Sequence, residues 1–304
     1  MKIGIDLGGT TVSIGLVNEK YEIVEKIEGM SHCEEGADAV ICRMVGMIES
    51  LLEKAGTLDI SCIGLGCPGI LDRNTGMVLY SNNIKWERVP VCRELHQHFH
   101  VPVYVENDAN CAAVGEYLAG AGQGSRQMIM LTFGTGIGGG IIFNGKLYLG
   151  KNGNSNILGH ILIEKDGKEC TCKRKGCWEC YASTKALLVQ AKQAGVFGNL
   201  TDQEIEGQVF FEALKEKRKT AVQVFESYAD YVAEGIADLI NVFDPERIVL
   251  GGGISAQGEV LLAPVKKRVK QRIYFKQMEM AEIVCSMLAN DAAIIGAANL
   301  QECL

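Results

Sequence analysis

One histidine and three cysteines stand close together near the middle of the chain. His160 precedes the run Cys170-x-Cys172-x4-Cys177. One imidazole and three thiolates make a full ligand set for a tetrahedral structural zinc ion. A disulfide is disfavoured, because Cys170 and Cys172 are badly placed for one another, and a thioredoxin-type pair needs two residues between its cysteines. The pattern therefore predicts a zinc site that holds a loop in shape.

A zinc-containing nucleic-acid module is the alternative for this cluster, because the basic run KRK occupies residues 173–175. Two observations count against it. The chain of 304 residues carries a net charge of −7, whereas a surface that binds nucleic acid normally shows a basic excess. The Cys2His2 spacing of DNA-binding fingers is also absent. We therefore expect no nucleic-acid partner, although a small anion could still be held by backbone amides.

Two glycine-rich turns, DLGGTT at 6–11 and FGTGIGGG at 133–140, each follow an apolar run. Glycine lets the backbone approach a ligand, and the N–H and hydroxyl groups of such turns can hold phosphate oxygens without a fixed positive charge. A third run, GGGIS at 251–255, follows another apolar stretch. Neither turn is a P-loop, and a dinucleotide fingerprint fits poorly because the turns lead into strands. The alternative is that the glycines only make tight hairpins.

The elements around the two turns repeat. The first residues predict strand, turn, strand, turn, strand, and residues 127–150 repeat this order with a hairpin signal at Asn144-Gly145. An amphipathic helix and a buried strand follow each time. The repeat predicts an α/β fold with an internal duplication: one domain at 1–118, a second at 119–290, and a cleft between them. The last helix, 291–304, is expected to pack back on the first domain.

The start of the chain gives no signal for export or for a membrane. Its first apolar run ends at glycines after about five residues, which is too short for a signal peptide or a spanning helix. We therefore expect a cytoplasmic protein without a membrane partner. Most of its twelve cysteines should then be reduced thiols.

The order of these motifs resembles the ROK (repressor, ORF, kinase) family of sugar kinases and sugar-responsive repressors, which has the actin-like, ribonuclease-H-like ATPase fold. The resemblance runs nearly end to end, through IDLGGTT, GLGCPG, SNNIKW, VENDANCAA, LTFGTGIGGGII, the His-Cys cluster, ECYAS, IVLGGGIS and ANDAAIIGAA. The repressor branch carries a DNA-binding helix-turn-helix ahead of this region. Because the first glycine turn begins at residue 6 here, we expect the kinase branch.

The resemblance implies ATP-dependent phosphorylation of a hexose at a primary hydroxyl, as in a glucokinase. Asp108 matches the family's catalytic aspartate, and a sugar hydroxyl does need a carboxylate to accept its proton during phosphoryl transfer. The neighbouring Asn107 carries a donor and an acceptor that suit sugar hydroxyls. Taken alone, Asn-Asp-Ala would instead predict the N-cap of a helix.

The resemblance also implies the other contacts. The sugar would be bound by Gly69, Asn83, His160 and Glu179 in addition to Asn107 and Asp108. The nucleotide would be bound by Gly9, Thr10, Thr11, Thr135 and Gly136, with Gly252 and Gly253 near the adenosine. Asp6 would help to position Mg²⁺, directly or through water. The family's zinc motif has the same spacing, although Lys173 occupies the position of its usual glycine. The family resemblance also suggests a homodimer.

The resemblance further implies that one nitrogen of His160 would bind the zinc and the other would contact a sugar oxygen. One position departs from the family pattern Gly-Glu-x-Gly-His, because the segment here reads NILGH and places Ile157 where the glutamate is expected. Losing that carboxylate should weaken or redirect sugar recognition by about 1.5–3 kcal/mol per charged hydrogen bond. A kinase for fructose, allose, N-acetylmannosamine or a β-glucoside, or a catalytically weak sugar-sensing protein, therefore stays open.

Overall fold

The computed structural model describes residues 1–57, 59–155, 157–277 and 279–304. The strands are β1 (Lys2–Leu7), β2 (Thr11–Val17), β3 (Ile23–Met30), β4 (Ile63–Cys67), β5 (Ile70–Asp72), β6 (Met77–Ser81), β7 (Trp86–Val89), β8 (Val103–Asn107), β9 (Gln127–Phe133), β10 (Ile137–Phe143), β11 (Lys146–Leu147), β12 (Arg247–Gly251) and β13 (Glu282–Cys285). The helices are α1 (Ala37–Ala55), α2 (Val91–Phe99), α3 (Asp108–Ala119), α4 (Glu179–Ala182), α5 (Thr184–Gln193), α6 (Gly207–Lys215), α7 (Lys219–Phe243), α8 (Glu259–Arg272), α9 (Asp291–Ala298) and α10 (Leu300–Cys303).

Two five-stranded sheets share one strand order. The first runs β3-β2-β1-β4-β8 and the second β11-β10-β9-β12-β13. In the first sheet β1 is antiparallel to β2 and parallel to β4, and β4 is parallel to β8. In the second, β12 is parallel to β13. The same order in both sheets confirms the predicted α/β fold with an internal duplication. The short strands β5, β6 and β7 form a separate antiparallel sheet.

The residues group into two compact units. The first contains 1–130, 140–156 and 287–304, and the second contains 131–139 and 157–286. The first unit thus takes in residues 119–130 and 140–156 in addition to the predicted 1–118. Local packing accounts for this: a Cβ at Gly140 would lie 2.5 Å from the Cβ of Ala113, and Asn154 accepts a hydrogen bond from the backbone of Leu71.

The core of the first unit follows the apolar spacing of the sequence. Alternate residues of β1, Ile3, Ile5 and Leu7, are fully buried. Helix α1 covers the sheet with the apolar side chains that recur every three or four residues along it, all of them buried: Val40, Ile41, Met44, Val45, Ile48, Leu51 and Leu52. The helix ends at Gly56, which takes the left-handed conformation common after helices.

Helix α9 lies backbone to backbone against β1, β4 and α3. A Cβ at Gly64 would lie 1.7 Å from the carbonyl oxygen of Ala297, and one at Gly115 would lie 2.0 Å from that of Ala292. Only glycine allows so close an approach. Helix α3, which begins at Asp108, is therefore held against the sheet from behind. Among the described residues, no helix has the length and apolar character needed to cross a membrane.

Candidate functional site

Asp108 lies where β8 ends and α3 begins. Asn107 is the N-cap of α3, because its Oδ1 accepts hydrogen bonds from the backbone N–H groups of Ala109 at 3.1 Å and Asn110 at 3.4 Å. The carboxylate of Asp108 also accepts a hydrogen bond from the Ala109 N–H, at 2.9 Å. The N-cap role that the sequence offers as an alternative is therefore present. It leaves the half-buried Asp108 carboxylate fixed at a helix N-terminus.

Two carboxylates of the first unit influence one another. Burial raises the pKa of Asp108, while hydrogen bonds from the Ala109 backbone and the Asn107 side chain oppose this shift. Burial also raises the pKa of Asp6 to about 6, with a further rise from the charge of Asp108 and a lowering by Lys26. Asp6 is in β1, which pairs with β4, and β4 pairs with β8. Paired carboxylates of this kind supply the oxygen ligands that divalent cations prefer.

The first glycine turn lies against the predicted sugar residue Asn83. A Cβ at Gly9 would be 2.9 Å from the carbonyl oxygen of Asn83, so the two backbones are in contact. The turn is closed by a hydrogen bond from the Gly8 N–H to the Thr11 carbonyl at 2.8 Å. The side chains of Thr10 and Thr11 are exposed, as is Asn83. This arrangement leaves their donor groups open to a ligand.

Gly69 has a φ of +128°, and a Cβ there would lie 2.4 Å from the carbonyl oxygen of Tyr80. Only glycine can therefore occupy position 69. Through Tyr80 it packs on β6, the strand that leads to Asn83. The first unit thus joins the predicted residues in contact pairs, Gly9 with Asn83 and Asn107 with Asp108, and it couples Asp6 to Asp108 electrostatically.

Next to Asp108 lies a buried ion pair that the sequence motifs do not predict. Glu106 is fully buried and is held by two hydrogen bonds from the guanidinium of Arg73. The signal was present in VPVYVEND, where a charged residue ends an apolar strand, but nothing in the sequence named Arg73 as its partner.

The four predicted metal ligands come together in the second unit. The ligand atoms of His160, Cys170, Cys172 and Cys177 all lie within 4.8 Å of one another. His160 Nδ1 is 3.4 Å from Cys170 Sγ, and Cys172 Sγ is 3.5 Å from Cys177 Sγ. Ligands on a zinc tetrahedron are separated by about 3.5–3.8 Å, given Zn–S bonds of about 2.3 Å and Zn–N bonds of about 2.0 Å. The spacing therefore fits zinc and is far too long for a disulfide of about 2.05 Å.

The carboxylate of Glu179, at the start of α4, lies beside this cluster. Its Oε1 is 3.2 Å from Cys170 Sγ and 3.7 Å from His160 Nδ1. On its other side, a Cβ at Gly136 would lie 2.5 Å from Oε2. Glu179 thus stands between the cluster and the second glycine turn. His160 turns Nδ1 towards the thiols, which leaves its Nε2 as the nitrogen for another partner.

The second glycine turn opens on a cavity of about 560 Å³ in the same unit. Thr135 and Gly253, both predicted to contact the nucleotide, line it, together with Leu188, Val189 and Ile205. Gly252 has a φ of +84°, and a Cβ there would lie 2.1 Å from the carbonyl oxygen of Phe133. A cavity of this size with apolar walls can take a nucleoside. The side of this cavity that α5 forms is not predicted by any sequence motif.

Ile157 stands at an exposed position just ahead of His160. It is 63% exposed, and its carbonyl oxygen accepts a hydrogen bond from the His160 N–H at 3.2 Å. Ile157 immediately precedes one turn of 3-10 helix, Leu158–His160, which ends at the predicted ligand. An apolar side chain therefore faces solvent one helical turn from a predicted metal ligand.

Comparison with known proteins identifies the family to which the chain belongs. The model of the ROK family matches residues 2–303. A glucokinase of Thermotoga maritima is 35% identical, with 98% of this chain and 96% of the relative aligned. The crystal structure of a ROK family glucokinase from Streptomyces griseus in complex with glucose and AMPPNP is 35% identical with a TM-score of 0.85, covering 98% of each chain. The ROK hexokinase of Thermus thermophilus is 31% identical with a TM-score of 0.84, covering 98% of this chain and 97% of its own. The fold is thus the actin-like ATPase fold of these sugar kinases, and the chain belongs to the ROK family.

Proposed function

We propose that this chain is an ATP-dependent hexose kinase, similar to the glucokinases, that transfers the γ-phosphoryl group of ATP to a primary sugar hydroxyl. Full-length similarity to a glucokinase, and to a structure in complex with glucose and AMPPNP, supports this reaction class. The observation that carries the assignment within the chain is the half-buried Asp108 carboxylate, fixed at the start of α3 and coupled to Asp6.

In the proposed reaction Asp108 accepts the proton of the sugar hydroxyl. The hydroxyl is a poor nucleophile, and a carboxylate whose pKa is raised by burial is a better proton acceptor than an exposed one. Asn107 keeps this carboxylate in place through its cap and its own hydrogen bond. Gly69 and Asn83 complete the sugar contacts that we assign to the first unit.

The nucleotide contacts that we propose come from the glycine turns. Gly9, Thr10 and Thr11 would hold phosphate oxygens through backbone N–H and hydroxyl groups, and Thr135 and Gly136 would do so from the second turn. We place the adenosine near Gly252 and Gly253, at the cavity that Thr135 and Gly253 line. Mg²⁺, when bound, offsets the charge of the transferring phosphoryl group, and Asp6 would hold it directly or through water.

We propose zinc as the metal of the His-Cys cluster. It would be held by His160, Cys170, Cys172 and Cys177, and its role would be structural because these residues fill all four positions. With Nδ1 on the metal, His160 Nε2 would be free to contact a sugar oxygen beside Glu179.

The identity of the hexose depends on Ile157. Its side chain is 63% exposed and cannot hydrogen-bond a sugar, whereas the family pattern expects a carboxylate there. This observation supports a second candidate, a catalytically weak sugar-sensing protein, besides kinases for fructose, allose, N-acetylmannosamine or a β-glucoside. We further propose, from the family resemblance, a homodimer in the cytoplasm.

A coupled assay of ADP release tests the function. The zinc-loaded protein is given ATP, Mg²⁺ and, in turn, glucose, fructose, mannose, allose, N-acetylmannosamine and β-glucosides. We expect sugar-dependent ADP release with at least one of them. Sugar-dependent thermal stabilisation without ADP release would support the sensor instead, and no response to any sugar would contradict both.

A further inference from the structure

We propose that Arg73 and Glu106 form a buried ion pair that positions Asp108 for the proton transfer. The inference rests on the proposed function, because it takes Asp108 as the group that accepts the proton. Arg73 and Glu106 are then positioning residues, since neither is expected to touch the sugar or the nucleotide. Neither belongs to the residues that the sequence pattern assigns to the sugar, the nucleotide or a metal.

The carboxylate of Glu106 is satisfied by four donors although its side chain is fully buried. Arg73 donates from Nε to Oε2 and from Nη2 to Oε1, the two-pronged geometry that gives strong and directional pairs. The backbone N–H of Asn107 donates to Oε1 at 2.7 Å, and Nδ2 of Asn110 donates to the same oxygen at 2.9 Å. Glu106 therefore fixes the residue before Asp108 and a residue one half-turn after it.

Arg73 is itself held in place by the turn that joins β5 to β6. Asp72 closes that turn, because its Oδ1 accepts a hydrogen bond from the Asn74 N–H at 3.1 Å and its Oδ2 accepts one from the Thr75 hydroxyl at 2.8 Å. Such a side-chain turn restricts the backbone from which the guanidinium reaches Glu106.

A second segment of the same unit fits around the guanidinium. Gly153 has a φ of +70°, and a Cβ there would lie 2.5 Å from Nη1 of Arg73. The next residue, Asn154, accepts a hydrogen bond from the Leu71 N–H at 3.2 Å and so ties this loop to β5. The loop at Gly153 thus lies against one side of the guanidinium, while the turn restricts the backbone that carries it.

The charges around Asp108 explain why the Arg73–Glu106 pair should affect proton transfer and not only the stability of the protein. Burial raises the pKa of the Cys67 thiol, and the charges of Asp108, Glu106 and Asp6 raise it further, so three carboxylates share one region of the unit. Arg73 neutralises the one that is fully buried. If Arg73 is removed, Glu106 keeps an unpaired buried charge, and the junction of β8 and α3 must rearrange or take up a proton. Either response displaces Asp108 or changes its charge environment.

The experiment uses full-length Arg73→Gln, Glu106→Gln and the double variant, with ATP, Mg²⁺ and the sugar that gives the fastest ADP release in the coupled assay. For Arg73→Gln we expect about one site for that sugar per chain by calorimetry, KM values near those of the unaltered protein, and a kcat that is lower by about tenfold to a hundredfold. The double variant should regain most of the loss, because a glutamine at 106 still offers Oε1 to Asn107 and Asn110 and leaves no unpaired charge.

A matched control is Arg247→Gln, which breaks a pair between a half-buried arginine and the exposed Glu282 and should leave kcat unchanged. Three results would overturn the proposal: an unchanged kcat in Arg73→Gln, a kcat that falls only in proportion to the number of sugar sites, or a double variant as slow as the single one. Asp108→Asn separates the two claims. If it stays active, the proposed proton acceptor is wrong; if it is inactive while Arg73→Gln is fast, only the positioning role fails.

Discussion

Replacing Ile157 by glutamate tests the most unusual position of the candidate sugar site. Because the side chain is 63% exposed, only about a third of its surface is buried. Full burial of an isoleucine contributes about 1.5–3 kcal/mol, so Ile157→Glu should lower the free energy of unfolding by no more than about 1 kcal/mol. The variant should therefore fold, and any change in turnover should reflect sugar recognition.

The expected gain follows from hydrogen bonding. Each hydrogen bond between a carboxylate and a sugar hydroxyl contributes about 1.5–3 kcal/mol, and about 1.4 kcal/mol corresponds to a factor of ten. We therefore expect kcat/KM for glucose to rise by about tenfold to a hundredfold for one new bond. Most of the change should appear in KM if the bond is equally strong in the ground state and the transition state.

Two control variants make the measurement specific. Ile157→Gln offers hydrogen bonds without a charge and should give a smaller gain. Val260→Glu adds the same charge in the first turn of α8, where the side chain is 39% exposed, and should leave the sugar kinetics unchanged. The assay is ADP release at varied glucose, with the melting temperature measured for each variant. If Ile157→Glu folds and its kcat/KM for glucose equals that of the unaltered protein, a side chain at position 157 does not contribute to sugar binding.

Two further predictions concern the metal and the acid site. Cys177→Ser should reduce bound zinc, measured by metal analysis, from about one ion per chain to near none, and it should lower the melting temperature. Cys42→Ser, at an exposed thiol outside the cluster, should change neither. Zinc retained in Cys177→Ser would contradict the proposed ligand set. Asp6 keeps its proton in the folded protein up to a pKa of about 6, while the unfolded chain releases it near 3.8, so stability should fall as the pH rises from about 4 to about 6. Asp6→Asn should reduce this fall, measured by urea unfolding at several pH values, and should weaken the dependence of turnover on Mg²⁺; an unaltered pH profile of stability would argue against the buried acid.

Much of the fold could be predicted from local patterns. The alternation of Ile3, Ile5 and Leu7 gave β1, and the spacing of apolar residues in α1 gave its buried face, because both depend on periodicity alone. The repeat of strand and turn signals gave the duplication, which the shared strand order confirms. The glycines that contact α9 could not be predicted in this way, because the need for glycine at Gly64 and Gly115 arises only when a helix distant in sequence packs against them.

The candidate site was predictable to the extent that it rests on motifs. The ligand spacing at Cys170 and Cys177 identified the cluster, since metal ligands recur at fixed intervals. Which nitrogen of His160 faces the thiols could not be predicted, because it depends on the rotation of the ring in the folded loop. The partner of Glu106 was also inaccessible, because Arg73 reaches it through tertiary contacts and not through any local repeat.

The most direct measurement is the turnover of Asp108→Asn beside that of Asp38→Asn, an exposed carboxylate in the first turn of α1. Asparagine is nearly isosteric with aspartate but cannot take up the hydroxyl proton. We predict that Asp108→Asn loses about a hundredfold or more of kcat while it still binds the sugar, and that Asp38→Asn keeps its rate. If Asp108→Asn phosphorylates the sugar at a rate close to that of the unaltered protein, Asp108 is not the group that accepts the hydroxyl proton.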